Sequence, residues 1–336
     1  MKPSYGRWIK TGVGIAISIA CLVFIFSKID SNKLLQALES FKWPFLGAGI
    51  AALGFDYTLR IARWRIMLLA AGAKVSFGRC APAFLGSMAL NNLLPLRAGD
   101  IVRALVFPAS LRISRATSTA SLVLERLVDL LALLVCLGIG TALAHNHQIP
   151  ENQQQWITLI SAAGVAALIA IFAFAAPIAR LLATFTNHQD RHNRKRLSQL
   201  ASQLSQLLAS LARMARLRTL AAIGSLSLLI WFGEAGLFLA LLHGFGLVAT
   251  PPSALVIMAI ATLATLIPSS PGYVGPFHLA AFSAVILFGG SEPQAAGFAL
   301  LAHLALWVPV TLAGVISMTA NPSLFRRSYK LEESNA

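Results

Sequence analysis

The chain has 336 residues, of which 57% are apolar and only 12% are charged, and its mean hydropathy is +0.73. A soluble domain is about one-quarter charged, so this composition excludes a water-soluble globular protein and predicts an integral membrane protein. The formal net charge of +15 does not indicate nucleic-acid binding, because the Lys and Arg residues stand in short blocks between apolar runs, as in cytoplasmic loops.

Apolar runs along the chain predict an all-α, polytopic bundle of transmembrane helices. A helix needs roughly 20 apolar residues to cross a hydrocarbon core of about 30 Å, and lipid-exposed backbone must form its hydrogen bonds within the helix. We expect about eight spans, some re-entrant or broken, in one transmembrane domain over 1–325, with a cytoplasmic tail over 326–336. The long runs lie at 11–27, 44–62, 117–143, 155–177, 219–242 and 295–319, and the shorter ones at 80–95, 253–267 and 277–289.

The first apolar run follows three basic residues, as the core of a signal peptide would. No small-residue cleavage site follows it, because the run ends in Ser27-Lys28-Ile29-Asp30. We therefore expect an uncleaved first span.

The distribution of basic residues predicts the orientation. Residues 60–115 contain nine Lys or Arg and one acid, and residues 178–218 contain eight and one, whereas 127–179 and 219–291 contain no Lys or Arg. The positive-inside rule therefore places the N-terminus, both basic stretches and the tail in the cytoplasm. The short run at 80–95 is flanked by basic residues on both sides, which predicts a re-entrant hairpin.

Residues 178–218 are predicted to form a cytoplasmic connector that contains an amphipathic helix. Leucines recur at helical spacing over 197–217, with Ser, Gln and Arg between them. We expect this helix to lie on the membrane surface or to pack against the bundle; a soluble linker helix is the alternative.

The densest polar cluster in the apolar part of the chain spans Asn91 to Arg103. Pro95 and Gly99 predict a helix break, and a break frees backbone amides next to arginines. Amides and guanidinium groups together suit a phosphate; an ordinary cytoplasmic loop is the alternative. The residues predicted to bind a headgroup phosphate are Asn92, Arg97, Arg103 and Arg126.

Further charged or titratable residues within the apolar runs predict a gating or charge network. Glu125 and Asp129 share a helix face, so Arg126 cannot pair with both, and arginines of other helices are candidate partners. A structural ion pair is as good an interpretation as a substrate role. Four residues at the end of the second apolar run are interpreted as an interfacial anchor in preference to a ligand site: Arg60, Arg63, Trp64 and Arg65. The predicted network comprises Arg60, Arg63, Asp100, Glu125, Asp129, Glu234, His278 and His303.

A charge-free segment from Pro268 to Pro276 supplies a second predicted break, interpreted as a buried hinge. Its Leu-Ile-Pro-x3-Gly pattern at 266–272 echoes Leu-Leu-Pro-x3-Gly at 93–99. Paired interruptions suggest an inverted repeat with a binding site at the membrane midplane; chance recurrence is the alternative. The predicted helix breaks are Pro95, Gly99, Pro268, Pro271, Gly272 and Gly275.

The sequence carries no H-E-x-x-H, G-x-S-x-G or Walker A motif. Cys21, Cys80 and Cys136 lack the spacing of a metal or redox pair. We therefore expect no catalytic residue, no metal and no cofactor.

Together these motifs resemble the lysylphosphatidylglycerol synthase transmembrane-region family, whose members are often called flippase-like. The resemblance rests on the blocks at 60–64, 91–103, 125–129 and 268–275. It implies a membrane domain that moves a charged phospholipid between leaflets. Lysyl transfer is not expected, because this sequence has no cytosolic aminoacyltransferase segment. The family often has an acid and an arginine where this sequence has His278 and His303.

The leading hypothesis is a lipid or lipid-linked carrier translocase of the bacterial cytoplasmic (inner) membrane that moves an anionic-headgroup lipid between leaflets. Its partners would be membrane lipids, with no nucleic acid. The second hypothesis is a non-transporting scaffold that binds a lipid- or envelope-synthesis enzyme through residues 178–218. The third is an integral-membrane lipid transferase that uses Glu125 or Asp129 as a base.

Overall fold

The computed structural model describes residues 5–27, 30–144, 152, 154–167, 170, 206–214 and 216–325. Over these residues the chain is helical and contains no strand, which confirms the predicted all-α bundle. The helices are α1 (Tyr5–Phe26), α2 (Ser31–Glu39), α3 (Trp43–Ala70), α4 (Phe77–Leu93), α5 (Ala98–Leu105), α6 (Pro108–Leu111), α7 (Arg115–Leu143), α8 (154–167), α9 (206–214), α10 (Leu217–Gly244), α11 (Pro251–Ala264), α12 (Pro276–Leu287) and α13 (Glu292–Ala320). Short 3-10 turns lie at Pro95–Arg97, Pro271–Tyr273 and Pro322–Phe325.

Three of the described helices, α3, α10 and α13, are long and apolar enough to cross a membrane. The total of about eight crossings and the orientation of the termini stay predictions. Residues 171–205, which hold most of the predicted connector and the end of the run at 155–177, lie outside the described residues, as does the tail at 326–336.

The bundle centres on α10, which packs along α3 and also contacts α7 and α11. These helices are apolar around most of their circumference, so they bury side chains on several faces at once. Phe238 of α10 shows this packing, since its ring lies edge-on to Phe277 of α12 at 6.5 Å and to Phe298 of α13 at 5.6 Å. Polar residues of six helices (α3, α4, α7, α10, α11 and α13) surround one space beside α10.

The described part of the connector packs against the bundle. Met214 of α9 is fully buried in a cluster with Met67 of α3 and Leu124 of α7, and Leu207 and Leu211 pack against the same cluster. The apolar face of this helix therefore meets protein.

Both predicted breaks form turns between packed helices. Helix α4 packs against α5, α11 packs against α12, and the turn at Pro95–Arg97 contacts the turn at Pro271–Tyr273. Each turn starts at a proline and continues with two residues of positive φ, at 59° and 51° for Leu96 and Arg97 and at 74° and 61° for Gly272 and Tyr273. The matching prolines are Pro95 and Pro271, whereas the repeated sequence pattern paired Pro95 with Pro268. The inverted repeat itself stays a prediction.

Helix α1 supports the second break. The hydroxyl of Ser18 donates to the carbonyl of Val274 at 2.7 Å and accepts from the amide of Ser270 at 2.9 Å. Gly275 has a φ of 101°, and a Cβ there would lie 2.6 Å from the Cα of Ser18. Only glycine permits this close approach, so α1 and the second turn are held together.

Candidate functional site

A cavity of about 170 Å³ lies where the two turns meet α3, α10 and α13. Its charged lining residues are Arg60, Arg97, Arg126 and Glu234, and aromatic side chains cover much of the remaining wall. The aromatic lining residues are Tyr57, Trp231, Tyr273, Phe277 and Trp307. We call this cavity the polar chamber.

A second cavity of about 430 Å³ adjoins the polar chamber on the other side of the turns. Its lining is mostly apolar and includes Val13 of α1, Leu94, Leu96, Leu266 and Ile267. All of these side chains are exposed on the outer surface of the bundle. We call this cavity the apolar groove. Chamber and groove share five lining residues: Asn91, Arg97, Thr265, Gly272 and Tyr273.

Arg97 lies at the junction of the polar chamber and the apolar groove. Its guanidinium group stacks over the ring of Tyr273, 5.3 Å from the ring centroid. No carboxylate among the described residues pairs with it. Arg97 therefore brings a positive charge to the chamber that no described acid neutralises.

Arg126 and Asn92, which were predicted to bind a headgroup phosphate together with Arg97, also line the chamber. Arg126 is 40% exposed and its Nη2 lies 2.7 Å from Asp100 Oδ2. Asn92 Nδ2 donates to the hydroxyl of Thr311 at 2.8 Å. Three elements thus bring polar side chains to the chamber: α4 brings Asn92, the first turn brings Arg97 and α7 brings Arg126.

Asp100 is held from behind by Asn91. The Asn91 side chain donates to Asp100 Oδ1 at 2.9 Å and accepts from the Asp100 amide at 3.0 Å. Gly99 permits this contact, because a Cβ at that position would collide with the carbonyl of Ser87 and lie 2.7 Å from the amide of Asn91. The Asp100 amide is therefore already bonded to Asn91 and is not free to bind another group.

Arg60 forms the opposite wall of the chamber. Its Nε lies 2.8 Å from Asp56 Oδ2, its Nη2 lies 2.6 Å from Glu234 Oε2, and its guanidinium group lies 4.7 Å from the Trp231 ring centroid. Thr262 donates to the other oxygen of Glu234 at 3.4 Å. These partners fix the Arg60 side chain, so it shapes the chamber and its charge is already compensated.

Arg103 lies apart from the other three predicted headgroup ligands. Its side chain is 0% exposed, pairs with Glu125 at 2.9 Å, and stacks against Trp64 at 5.3 Å and Phe84 at 4.8 Å. It lines neither the chamber nor the groove. The reason is its position on α5, which points it toward α7 and the aromatic residues of α3 and α4.

Arg63 and Asp129 form a second buried ion pair away from the chamber. Nη1 and Nη2 of Arg63 both donate to the Asp129 carboxylate, and Nη1 also donates to Ser227 at 2.6 Å. Trp64 is fully buried and donates to Ser121 at 3.0 Å. The interfacial-anchor interpretation is therefore wrong for Arg63 and Trp64, because α7 and α10 supply their partners inside the bundle.

His278 and His303 lie against each other at the α12–α13 contact, with ring centroids 4.6 Å apart. His303 lines the chamber, whereas His278 lies behind it and its Nδ1 accepts from the Gly275 amide at 3.4 Å. The pair thus joins the second turn to the chamber wall.

Sequence reasoning missed Asp56, Tyr57, Tyr273 and Trp307. Asp56 carried a usable signal, since it is an acid in the apolar run at 44–62 and stands four residues before Arg60. Tyr57 and Trp307 gave none, because an aromatic residue in a membrane helix is usually part of the lipid-facing or packed surface. Tyr273 lies in the second turn, and its partner Arg97 is too far away in the sequence to be found from a local pattern.

Comparison with known proteins was consistent with the resemblance. The family model described as "Lysylphosphatidylglycerol synthase TM region" matches residues 12–314. A curated relative, Glycosyltransferase AglD of Haloferax volcanii, is 27% identical over 139 residues, which are 41% of this chain. The match covers 22% of the length of that relative.

Proposed function

This chain belongs to the lysylphosphatidylglycerol synthase transmembrane-region family, and from that premise we propose that it moves a lipid or lipid-linked carrier with an anionic headgroup between membrane leaflets. We also propose that it does so in the bacterial cytoplasmic (inner) membrane with both termini in the cytoplasm. The observation that carries the proposal is that the polar chamber adjoins the apolar groove at Arg97, whose charge no described carboxylate pairs with.

The charge of the chamber favours an anion. Of its three arginines, Arg60 pairs with Asp56 and Glu234 and Arg126 pairs with Asp100, so Arg97 carries the positive charge that no described carboxylate pairs with. Charges act strongly on one another inside a bundle, because the dielectric constant there is far below that of water. Arg97 and the half-exposed Arg126 would hold the phosphate through charge-assisted hydrogen bonds.

The dimensions of the two cavities favour an amphiphile. At about 30 Å³ per water molecule, the chamber holds roughly six waters, which is room for a phosphate with a small alcohol. Hydrocarbon chains would remain in the apolar groove, whose apolar side chains are exposed on the surface of the bundle. A lipid could therefore be bound with its headgroup shielded and its chains in an environment as apolar as the bilayer.

The relative named a glycosyltransferase favours a second candidate. In that reading the chain binds a lipid-linked carrier and presents it to an envelope-synthesis enzyme without moving it between leaflets. The third hypothesis, a lipid transferase, has less support, because Glu125 and Asp129 are buried in ion pairs with Arg103 and Arg63 and line neither cavity.

Transfer of a fluorescent lipid in proteoliposomes tests the proposal. Purified protein should speed the exchange of a headgroup-labelled phosphatidylglycerol between leaflets, measured by chemical quenching of the outer leaflet, relative to protein-free vesicles. An uncharged diacylglycerol analogue with the same fluorophore provides the control and should gain much less.

Two results would separate the candidates. Equal acceleration of the charged and uncharged lipids would contradict an arginine-based site. Binding of phosphatidylglycerol without any acceleration by folded protein would contradict translocation and favour the carrier-presenting role.

A further inference from the structure

We propose that Tyr273 is a positioning residue that holds Arg97 across the junction between chamber and groove and closes the junction until an anionic headgroup replaces its ring. The proposal rests on the proposed function and adds the step by which a lipid headgroup enters the chamber from the groove.

Tyr273 and Arg97 meet from opposite turns. Tyr273 belongs to the turn between α11 and α12, Arg97 belongs to the turn between α4 and α5, and the guanidinium group lies 5.3 Å from the ring centroid. Both residues line both cavities. A headgroup that passes from groove to chamber therefore passes beside this stacked pair.

The backbone at both residues is conformationally unfavourable. Arg97 and Tyr273 are two of four non-glycine residues with positive φ in the described part of the chain, and Leu96 beside Arg97 is a third. A side chain in this region costs free energy and persists where surrounding contacts hold it, often at binding sites and switches. The stack between the two side chains is a contact that holds them.

The neighbours of Tyr273 fix the rest of its turn. A Cβ on Gly272 would lie 2.9 Å from Trp307 Nε1, so the turn is packed closely against α13. Ser18 bonds both ends of the segment from Ser270 to Val274. With its backbone anchored on both sides, the turn can release Arg97 by a rotation of the Tyr273 side chain.

A phosphate is a stronger partner for Arg97 than the ring. A guanidinium group binds phosphate through two parallel charge-assisted hydrogen bonds, whereas a cation–π contact at a partly exposed site is weak. A headgroup in the groove binds the edge of the guanidinium group, and this stronger bond will draw Arg97 toward the headgroup and off the Tyr273 ring. The ring then no longer joins the two turns, and the junction opens toward Arg126.

Thiol labelling of the chamber from the lipid phase tests this step without measuring transport. The reporter is Met88→Cys, which lines the chamber on α4, in a background where Cys21, Cys80 and Cys136 are replaced by alanine. The reagent is a phospholipid with a maleimide on its headgroup, in vesicles that contain the full chain. A small anionic, water-soluble thiol reagent provides a second labelling route.

Tyr273→Leu should raise the rate of labelling by the maleimide lipid about two- to fivefold, since loss of a cation–π contact of about 0.5 to 1 kcal/mol shifts the closed–open equilibrium by that factor. Tyr273→Phe keeps the ring and should label at the wild-type rate. Labelling by the water-soluble reagent should change less than labelling from lipid. If Tyr273→Leu does not fold, Tyr273→Met, which also lacks the ring, carries the same expectation.

Equal labelling from lipid in wild-type and Tyr273→Leu proteins would overturn the proposal, and so would a Tyr273→Phe protein that behaves like Tyr273→Leu. The labelling result also separates this proposal from the proposed function. If the labelling rate depends on the ring but the protein moves no lipid, the role of Tyr273 stands and translocation is contradicted. If the protein moves lipid but the labelling rate does not depend on the ring, translocation stands and the role of Tyr273 is contradicted.

Discussion

Arg97→Ala is expected to abolish measurable lipid transfer, with a loss of at least about tenfold, because a hydrogen bond to a charged group contributes about 1.5–3 kcal/mol and about 1.4 kcal/mol corresponds to a factor of ten. Arg97 should have a larger effect than its neighbours in the chamber. Arg60 is compensated by Asp56 and Glu234, and Arg126 by Asp100, whereas no described acid pairs with Arg97.

The measurement is exchange of labelled phosphatidylglycerol in proteoliposomes at matched protein content. Arg79→Ala is the matched control, since Arg79 is exposed on α4 and lines neither cavity. Arg97→Lys should keep part of the activity, because lysine retains the charge and loses the two-pronged geometry. Wild-type transfer by a folded Arg97→Ala protein would remove Arg97 from the mechanism.

The second large effect is expected on stability, at the Arg103–Glu125 pair. Removing one partner leaves the other charge buried, which costs about 3–5 kcal/mol. Arg103→Ala and Glu125→Ala should therefore both lower the unfolding temperature strongly. The double variant Arg103→Met/Glu125→Leu should recover most of that loss, because an apolar pair of similar volume is often neutral or stabilising at a buried site. Arg103 Nε, Arg103 Nη1 and Glu125 Oε2 lack hydrogen-bond partners, which makes the native pair costly to bury.

Thermal unfolding in detergent micelles measures these differences, and lipid transfer by the double variant adds a functional test. Arg103 lines neither cavity, and Asp100 lies 3.9 Å from it but only 2.7 Å from Arg126 and 2.9 Å from the Asn91 amide group. The folded double variant should therefore transfer phosphatidylglycerol at close to the wild-type rate. Loss of transfer in a stable double variant would contradict the structure and restore Arg103 to the headgroup site that the sequence analysis gave it.

The helices and the positions of the breaks could be predicted from the sequence because both depend on local properties. Long apolar runs form helices in lipid. Pro95 and Pro271 interrupt them because a proline has no backbone N–H to donate within a helix. The clustering of Asn92, Arg97 and Arg126 was also predictable, since a break concentrates polar groups near one depth.

The pairing of buried charges could not be predicted in the same way. Arg63 with Asp129 and Arg103 with Glu125 depend on how α3, α5 and α7 rotate against one another, which no local pattern encodes. Arg103 stands only six residues after Arg97, but six residues are more than one and a half turns of a helix. Its side chain therefore points away from the chamber and toward Glu125 of α7. Tyr273 was missed for a related reason, because its contact with Arg97 joins positions 176 residues apart.

Photo-crosslinking of a bound phospholipid tests the central claim most directly. A phosphatidylglycerol with a photoreactive group in its headgroup should label chamber residues such as Met88 and Val310, and one with the group in its acyl chain should label groove residues such as Leu94 and Leu266. Arg97→Ala should remove the headgroup labelling. Labelling confined to other faces of the bundle, or headgroup labelling that Arg97→Ala leaves intact, would contradict an arginine-lined lipid site.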